Sequence, residues 1–482
     1  MRRVIGGLLG SMLLAAGLVV APLSSTDAVS SPALHARVQA RGAHPLDTAD
    51  YLGRRPTSTE LPQEACATTD PVCVHWTTSG QDAATQDQAT LTLQTVTDVY
   101  DAYQQAGFRM PEADCEEPSV PCGSAGGSPD IDIYLADIGN AAAMGGSSYY
   151  GFCLPTDAVG QRPAGARDES AYCVLDNDYD PQQFPSKTTA VQDLQVTVAH
   201  EFFHAIQFSY DTGQPAWLME ATATWAEGTL YPAIADNSQF LPFGPLCFPG
   251  RPLNANGATQ PFPKTSCAGL RIGLADYNWA HVYGDWIFFR WLTDYVKSAD
   301  GTDPLQTMRQ IWSATDTTKG KHTPATAAIG SALKKHHLTW GKAYALFSAA
   351  NLRSRQTYTG TGHKSYPVAP PTARVTLGPK KRSAKATFSI SHLASATERV
   401  TVGKAAKRDA LRLTFAKASA TVLTVHFKNG RILETPMSGR NTAEVAAASR
   451  VKYVDLTLVN GNAAGTRNAT LTVALKRLKS AG

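Results

Sequence analysis

Between Val198 and Gln207 the chain reads Val-Ala-His-Glu-Phe-Phe-His-Ala-Ile-Gln, an HExxH in an apolar setting. On an α-helix, residues four apart lie on the same face, so the imidazoles of His200 and His204 can reach one cation. Glu201 sits one residue round from that face, where it can take a proton from a metal-bound water without being a ligand. Zinc held by three protein ligands keeps a fourth position open and lowers the pKa of its water to about 7. These residue types therefore suit hydrolysis by zinc-activated water, with Glu201 as general base. The competing reading is a buried helix with two coincidental, hydrogen-bonded histidines. Val196, Val198, Phe202, Phe203 and Ile206 fit either. A match of this kind arises by chance on the order of once per hundred such chains.

A loop, Asp211-Thr212-Gly213-Gln214-Pro215, leads to Trp217-Leu218-Met219-Glu220-Ala221-Thr222-Ala223-Thr224-Trp225-Ala226-Glu227. Following an HExxH, this segment resembles the second zinc-binding helix of the gluzincins, above all the aminopeptidase N-like and thermolysin-like metallopeptidases. The match is W-L-x-E-x-x-A-x-aromatic-x-E. The resemblance implies a zincin-like catalytic fold, Zn2+ as cofactor, and a protein or peptide substrate. It also implies His200, His204 and Glu220 as ligands, with Glu201 as the base. It covers 198–227 closely, the preceding strands loosely, and the C-terminal part not at all. One feature departs from it: 15 residues separate His204 from Glu220, fewer than in those families, so the connecting loop must be tighter. Glu227, two helical turns beyond Glu220, is the alternative ligand. Otherwise it, or Thr224, is a group that holds a ligand in place.

In the gluzincins an edge strand pairs with extended peptide, and Gly145 to Phe152 is the segment expected to do so here. The plainer reading of that stretch is a Gly-rich surface loop pinned by Cys153. The resemblance further implies a downstream Tyr or His donating to the oxyanion. Tyr283 and His281 are the candidates and Tyr283 is preferred, although aromatic residues in such a segment also suit a helix core.

The elements that must position these groups are legible in the apolar pattern. Val72–Trp76, Ile131–Leu135 and Ala171–Leu175 read as strands, and Ser147–Phe152 as a fourth. Asp82 to Ala106 reads as a helix stopped by Gly107, and Val191–Tyr210, Trp217–Leu230 and Tyr277–Val296 as three more. The expected fold class is α+β, a mixed sheet plus helices, over residues 61–364. After the Pro-rich break Tyr366–Pro371 come short β-prone runs: Arg374–Leu377, Ala386–Ile390, Val400–Val402, Leu411–Phe415, Thr421–Phe427, Tyr453–Val459 and Ala469–Ala474. Turn pairs such as Asn429-Gly430 separate them, which predicts an all-β sandwich domain over 365–482.

Charge divides at the same break. The whole chain of 482 residues carries a formal +4. From Lys364 to Gly482 there are 21 Lys/Arg against 5 Asp/Glu, a net +16, while the rest carries 23 against 35, a net −12. The basic part lacks the aromatic–basic interleaving of single-strand binders, so nucleic acid is not an expected partner. An anionic cell-envelope surface is. The plainer account is a solubilising charge pattern.

Met1-Arg2-Arg3, the apolar run Val4–Leu23 and small residues to Ala28 follow the order of a secretory signal peptide, assigned to 1–28. Residues 29–60 read as a linker or propeptide. The 8 cysteines fall into four close pairs, Cys66/Cys73, Cys115/Cys122, Cys153/Cys173 and Cys247/Cys267, as expected of disulfides in an oxidising compartment. The expected localisation is secreted. Asp176–Asp180 clusters hard oxygen ligands, but Pro181 and Lys187 spoil a calcium loop, so a solvated turn is expected. Two further functional classes remain open: a non-catalytic cell-surface binding protein on a zincin scaffold, and a zinc hydrolase of a cell-wall amide.

Overall fold

A computed structural model describes residues 54–477 except 117–118, 120, 141–148, 157–159, 161, 185–187, 256–264, 270–279, 360–365, 406–408 and 438–440. The expected signal peptide and most of the expected linker therefore lie outside the described residues. Two compact units emerge. One comprises residues up to Ser238 with Val296–Ile329; the other comprises Gln239–Tyr295 with Gly330 onward.

The first unit is built on a five-stranded mixed sheet. Its strands are β1 (Gln63–Cys66), β2 (Val72–Trp76), β3 (Ile131–Ala136), β4 (Gly151–Thr156) and β5 (Ser170–Asp176), in the order β1-β2-β3-β5-β4. β2, β3 and β5 run parallel, while β1 and β4 are antiparallel edges. The near-continuous apolar runs of the central strands match their complete burial on both faces. Helix α1 (Gln86–Gln105), capped by Thr85, connects β2 to β3, as parallel pairing requires. Of the predicted strands, the one expected at Ser147–Phe152 begins later. The edge strand is Gly151–Thr156, and the Gly145–Ser148 part of the expected edge lies outside the described residues.

Two further helices carry the chemistry-bearing residues: α2 (Ala190–Phe208) and α3 (Ala216–Leu230). α2 starts at a capping box in which Thr189 and Gln192 exchange side-chain and backbone hydrogen bonds. It packs against α1, α3, β4 and β5, which explains why its residues are apolar nearly all round. Tyr103 of α1 donates a hydrogen bond to the Ala199 carbonyl at 2.9 Å and its ring stacks near Phe202. Disulfides link Cys66 to Cys73 across β1–β2 and Cys153 to Cys173 across β4–β5, and Cys115 to Cys122. The segment before β1 is also built in: Arg55 pairs with the buried carboxylates of Asp114 and Asp132, and Asp132 also holds His75 Nε2 at 2.8 Å. Part of the expected linker therefore belongs to the folded unit.

In the second unit, β6 (Ala373–Leu377) through β14 (Arg467–Arg477) form two sheets. With β7 (Ser383–Ile390), β8 (Ala394–Val402), β9 (Asp409–Ala416), β10 (Ala420–Phe427), β11 (Ile432–Pro436), β12 (Thr442–Val445) and β13 (Val451–Asn460), the orders are β11-β10-β13-β8-β6 and β12-β9-β14-β7. Inward-facing residues of both sheets, among them Val400, Leu411, Leu413, Val454, Leu456 and Leu471, share one core, which makes this a β-sandwich. Pairing is antiparallel except for β6 with β8. Strands β11 and β12, which the apolar pattern did not predict, are short edge strands with largely exposed residues. The turn between β10 and β11 uses Gly430 at φ +85°, the left-handed backbone that Asn-Gly pairs favour. A fourth disulfide, Cys247–Cys267, also lies here. The expected helix Tyr277–Val296 is described from Ala280, and its regular part is α4 (Trp286–Asp300).

Candidate metal centre

His200 and His204 stand one turn apart near the middle of α2, and Glu220 projects from α3 toward both. Glu220 Oε2 lies 3.3 Å from His200 Nε2 and 3.6 Å from His204 Nε2. The three ligand atoms all fall within 4.8 Å of one another. A tetrahedral ion with bonds of about 2.0–2.1 Å holds its ligand atoms about 3.3–3.4 Å apart, so the donor set fits zinc. The short loop between the helices suffices because it is held firmly. Asp211 is fully buried and accepts hydrogen bonds from Gly213 N, Gln214 Nε2 and His322 Nδ1.

Behind the two imidazoles are two different acceptors. His200 Nδ1 lies 2.7 Å from Glu227 Oε1, and His204 Nδ1 lies 2.7 Å from Gln207 Oε1. Glu227 thus faces the side of the His200 ring opposite the Nε2 that Glu220 approaches, the geometry of a group orienting a ligand. Thr224 is fully buried on α3, and its Oγ1 has no hydrogen-bond partner among the described residues. Gln207, which the motif does not point to, joins this group through its contact with His204 Nδ1. Its signal is the i, i+3 spacing after His204, which puts both on one helix face.

Glu201 is buried beside the ligands, with Cys153 Sγ resting 2.9 Å from its carbonyl oxygen. The edge strand comes close at Gly151, where a Cβ would stand 2.7 Å from Thr197 Cγ2 and 3.0 Å from Glu201 Cγ. Only glycine lets β4 lie this near the helix.

Burial raises the proton affinity of Glu201, and the neighbouring imidazoles pull the other way. Burial also raises that of Glu227, against its hydrogen bond with His200. Glu220 behaves oppositely: burial would push it up, but the two imidazoles hold it well below the usual carboxylate range. Burial disfavours charged imidazolium at His200, yet the hydrogen bonds with Glu220 and Glu227 raise its proton affinity. The charges acting most strongly on these three carboxylates are one another and the two imidazoles; no lysine or arginine is among them. The two imidazoles, whose own proton affinity is raised, are thus the groups that offset these carboxylates, and a divalent cation held by His200, His204 and Glu220 would take over that role.

Tyr283 belongs to the second unit, where its ring stacks on Phe240 with centroids 4.8 Å apart. His281 is buried in that unit with both ring nitrogens facing backbone carbonyls, Phe243 O at 3.0 Å and Pro252 O at 3.2 Å. Its ring is thus committed to structure. Asp176 accepts hydrogen bonds from the backbone N–H groups of Gly139, Asp178 and Tyr179, which makes Asp176–Asp180 a turn. Among the described residues, the other grouping able to hold a metal is Glu64 with Cys66 and Cys73, whose sulfurs are joined in a disulfide.

Four disulfides mark a protein of an oxidising compartment. No helix among the described residues is long and apolar enough to cross a membrane. No family model matches the chain, and no curated protein matches it. Among solved structures, it is similar to Aeromonas hydrophila PliG, a periplasmic lysozyme inhibitor of g-type lysozyme. The identity is 12% over 22% of this chain and 96% of that chain, at TM-score 0.18. A mutant of the Escherichia coli inhibitor of the same kind is 11% identical over 22% of this chain and 96% of its own, at TM-score 0.17.

Proposed function

We propose that the chain is a secreted, zinc-dependent metallopeptidase of gluzincin type whose first unit is zincin-like. The observation that carries this reading is the convergence of His200 Nε2, His204 Nε2 and Glu220 Oε2 in a buried site that also holds Glu201. When bound, zinc supplies a Lewis acid and an acidified water. Glu201 accepts the proton of the attacking water and delivers it to the leaving amine nitrogen. Its buried surroundings, which favour the protonated form, suit the second half of that task. β4, an edge of the sheet among the described residues, is the strand that would pair with an extended peptide, which gives binding without sequence preference. Tyr283, on the resemblance alone, is the donor to the oxyanion.

The basic sandwich domain directs this activity to an anionic surface of the cell envelope. Of its five acids, Glu398, Asp409 and Asp455 are buried and Glu434 is half-buried beside Arg353, so Glu444 is the one left exposed. Exposed Arg374, Lys380, Lys381, Lys385, Arg412 and Lys428 meet little opposing charge. Retention on isolated envelopes should fall steeply with added salt; retention insensitive to salt would count against this role.

The test of the enzyme reading is zinc content and peptide-library cleavage for the wild type and Glu201→Gln. The expected outcome is one bound zinc in both, with cleavage lowered at least about 100-fold in the variant. A wild type without zinc, or a zinc-loaded variant that cleaves as well, would sink it. Cleavage of a wall amide but no peptide would shift the reading to a zinc hydrolase of another bond.

A further inference from the structure

We propose that Gln207 is a positioning residue that locks His204 in its Nδ1–H tautomer and fixes its ring, through a chain of hydrogen bonds anchored at Trp312. This inference rests on the zinc reading above. Each link has a defined direction. Gln207 is fully buried, and its amide faces the Met219 carbonyl at 2.9 Å, Thr222 Oγ1 at 3.0 Å and His204 Nδ1 at 2.7 Å. A carbonyl only accepts, so the amide NH2 must be the end that faces Met219. The oxygen end therefore faces His204, and an oxygen only accepts. His204 Nδ1 must carry the proton, which leaves the Nε2 lone pair directed at the position shared with His200 and Glu220.

The NH2 end is in turn held. Thr222 Oγ1 donates to Leu218 O at 2.8 Å and accepts from Gln207, so its hydroxyl cannot rotate to offer its proton instead. Trp312 Nε1, on helix α5 (Pro304–Ser313), donates to the same oxygen at 3.3 Å. The amide is thus pinned from α3 and α5 while its oxygen sets a ring on α2.

The two ligand histidines differ as a result. His200 is backed by a carboxylate and His204 by a neutral amide. A fourth buried carboxylate in place of the amide would face the Met219 carbonyl, oxygen against oxygen, and would add negative charge to a pocket that already holds three. A glutamine satisfies every partner without charge.

Two measurements test the role. The first is zinc affinity by chelator competition for the full chain and Gln207→Leu, with folding followed by circular dichroism. Loss of an orienting group costs about 10–100-fold in metal affinity, so the variant should weaken by that factor while keeping its fold. Equal affinity in wild type and Gln207→Leu would overturn the role of Gln207 and leave the zinc reading intact; a wild type that binds no zinc would overturn both. The second needs no variant, and so decides the matter even if Gln207→Leu fails to fold. Long-range 15N–1H correlation on histidine-labelled, zinc-free wild type, taken at a pH where the ring is neutral, should show His204 protonated at Nδ1 alone. A His204 signal from the Nε2–H tautomer would overturn the proposal.

Discussion

Among the places where the molecule buries acids, the sandwich and the α2–α3 pair neutralise them differently. In the sandwich, Asp455 is fully buried on β13 and receives Arg399 through two hydrogen bonds of 2.7 Å, and Asp409 on β9 receives Arg382 at 2.9 Å. In the α2–α3 pair, Glu201, Glu220 and Glu227 share one buried pocket whose dominant neighbours are imidazoles. Both arrangements remove carboxylates from water, which is costly unless each finds a countercharge. The sandwich encodes its countercharge in the chain as arginine. The helix pair encodes imidazoles, whose raised proton affinity lets them offset the acids and which, on the proposed function, give that place to a bound cation. On the proposed function, that difference separates an acid that holds a fold together from one that shares in holding a metal.

The first way to break the comparison is to remove a built-in countercharge. Arg399→Met leaves Asp455 charged and enclosed, and stability should fall by about 3 kcal/mol or more. A urea titration followed by near-UV circular dichroism reads this as a lower midpoint. Adding Asp455→Leu should recover most of the loss, since a buried pair exchanges for apolar residues at little cost. A change below about 0.5 kcal/mol in the single variant would show that burial of Asp455 demands no partner.

A smaller effect should follow removal of the external countercharge. At a hundredfold excess of zinc over its Kd, bound metal adds about 2.7 kcal/mol to the state that holds it. Stripping the metal with a chelator should speed amide exchange in α2 and α3, and leave β8 and β13 as slow as before. Exchange that rises equally in both regions, or in neither, would erase the distinction between them.

Much of this was legible in the sequence, and what was missed has physical causes. The HExxH, the Glu220 helix and the central strands announce themselves through local pattern: spacing along a helix, apolar runs, turn pairs. The four disulfides join the cysteines nearest in sequence, two of them across paired strands, where the register brings them face to face. Strands β11 and β12 escaped because short exposed edge strands carry little hydrophobic signal. Gln207 escaped because a lone glutamine in a helix is unremarkable until Met219 and Thr222 are seen beside it. The role of Arg55 depends on Asp114 and Asp132, 59 and 77 residues away, a distance over which local pattern is silent. The discontinuous second unit, which takes in Gln239–Tyr295 together with the sandwich, is likewise set by long-range contacts.

The central claim is that two histidines and one glutamate hold a single zinc, with Glu227 serving only to orient. Zinc stoichiometry and affinity of the wild type, Glu220→Ala and Glu227→Ala test it most directly. One zinc per wild-type chain is expected. Binding in Glu220→Ala should be lost or at least about 100-fold weaker, and Glu227→Ala should retain its zinc at about 10–100-fold lower affinity. No zinc in the wild type, or undiminished zinc in Glu220→Ala, would contradict the account.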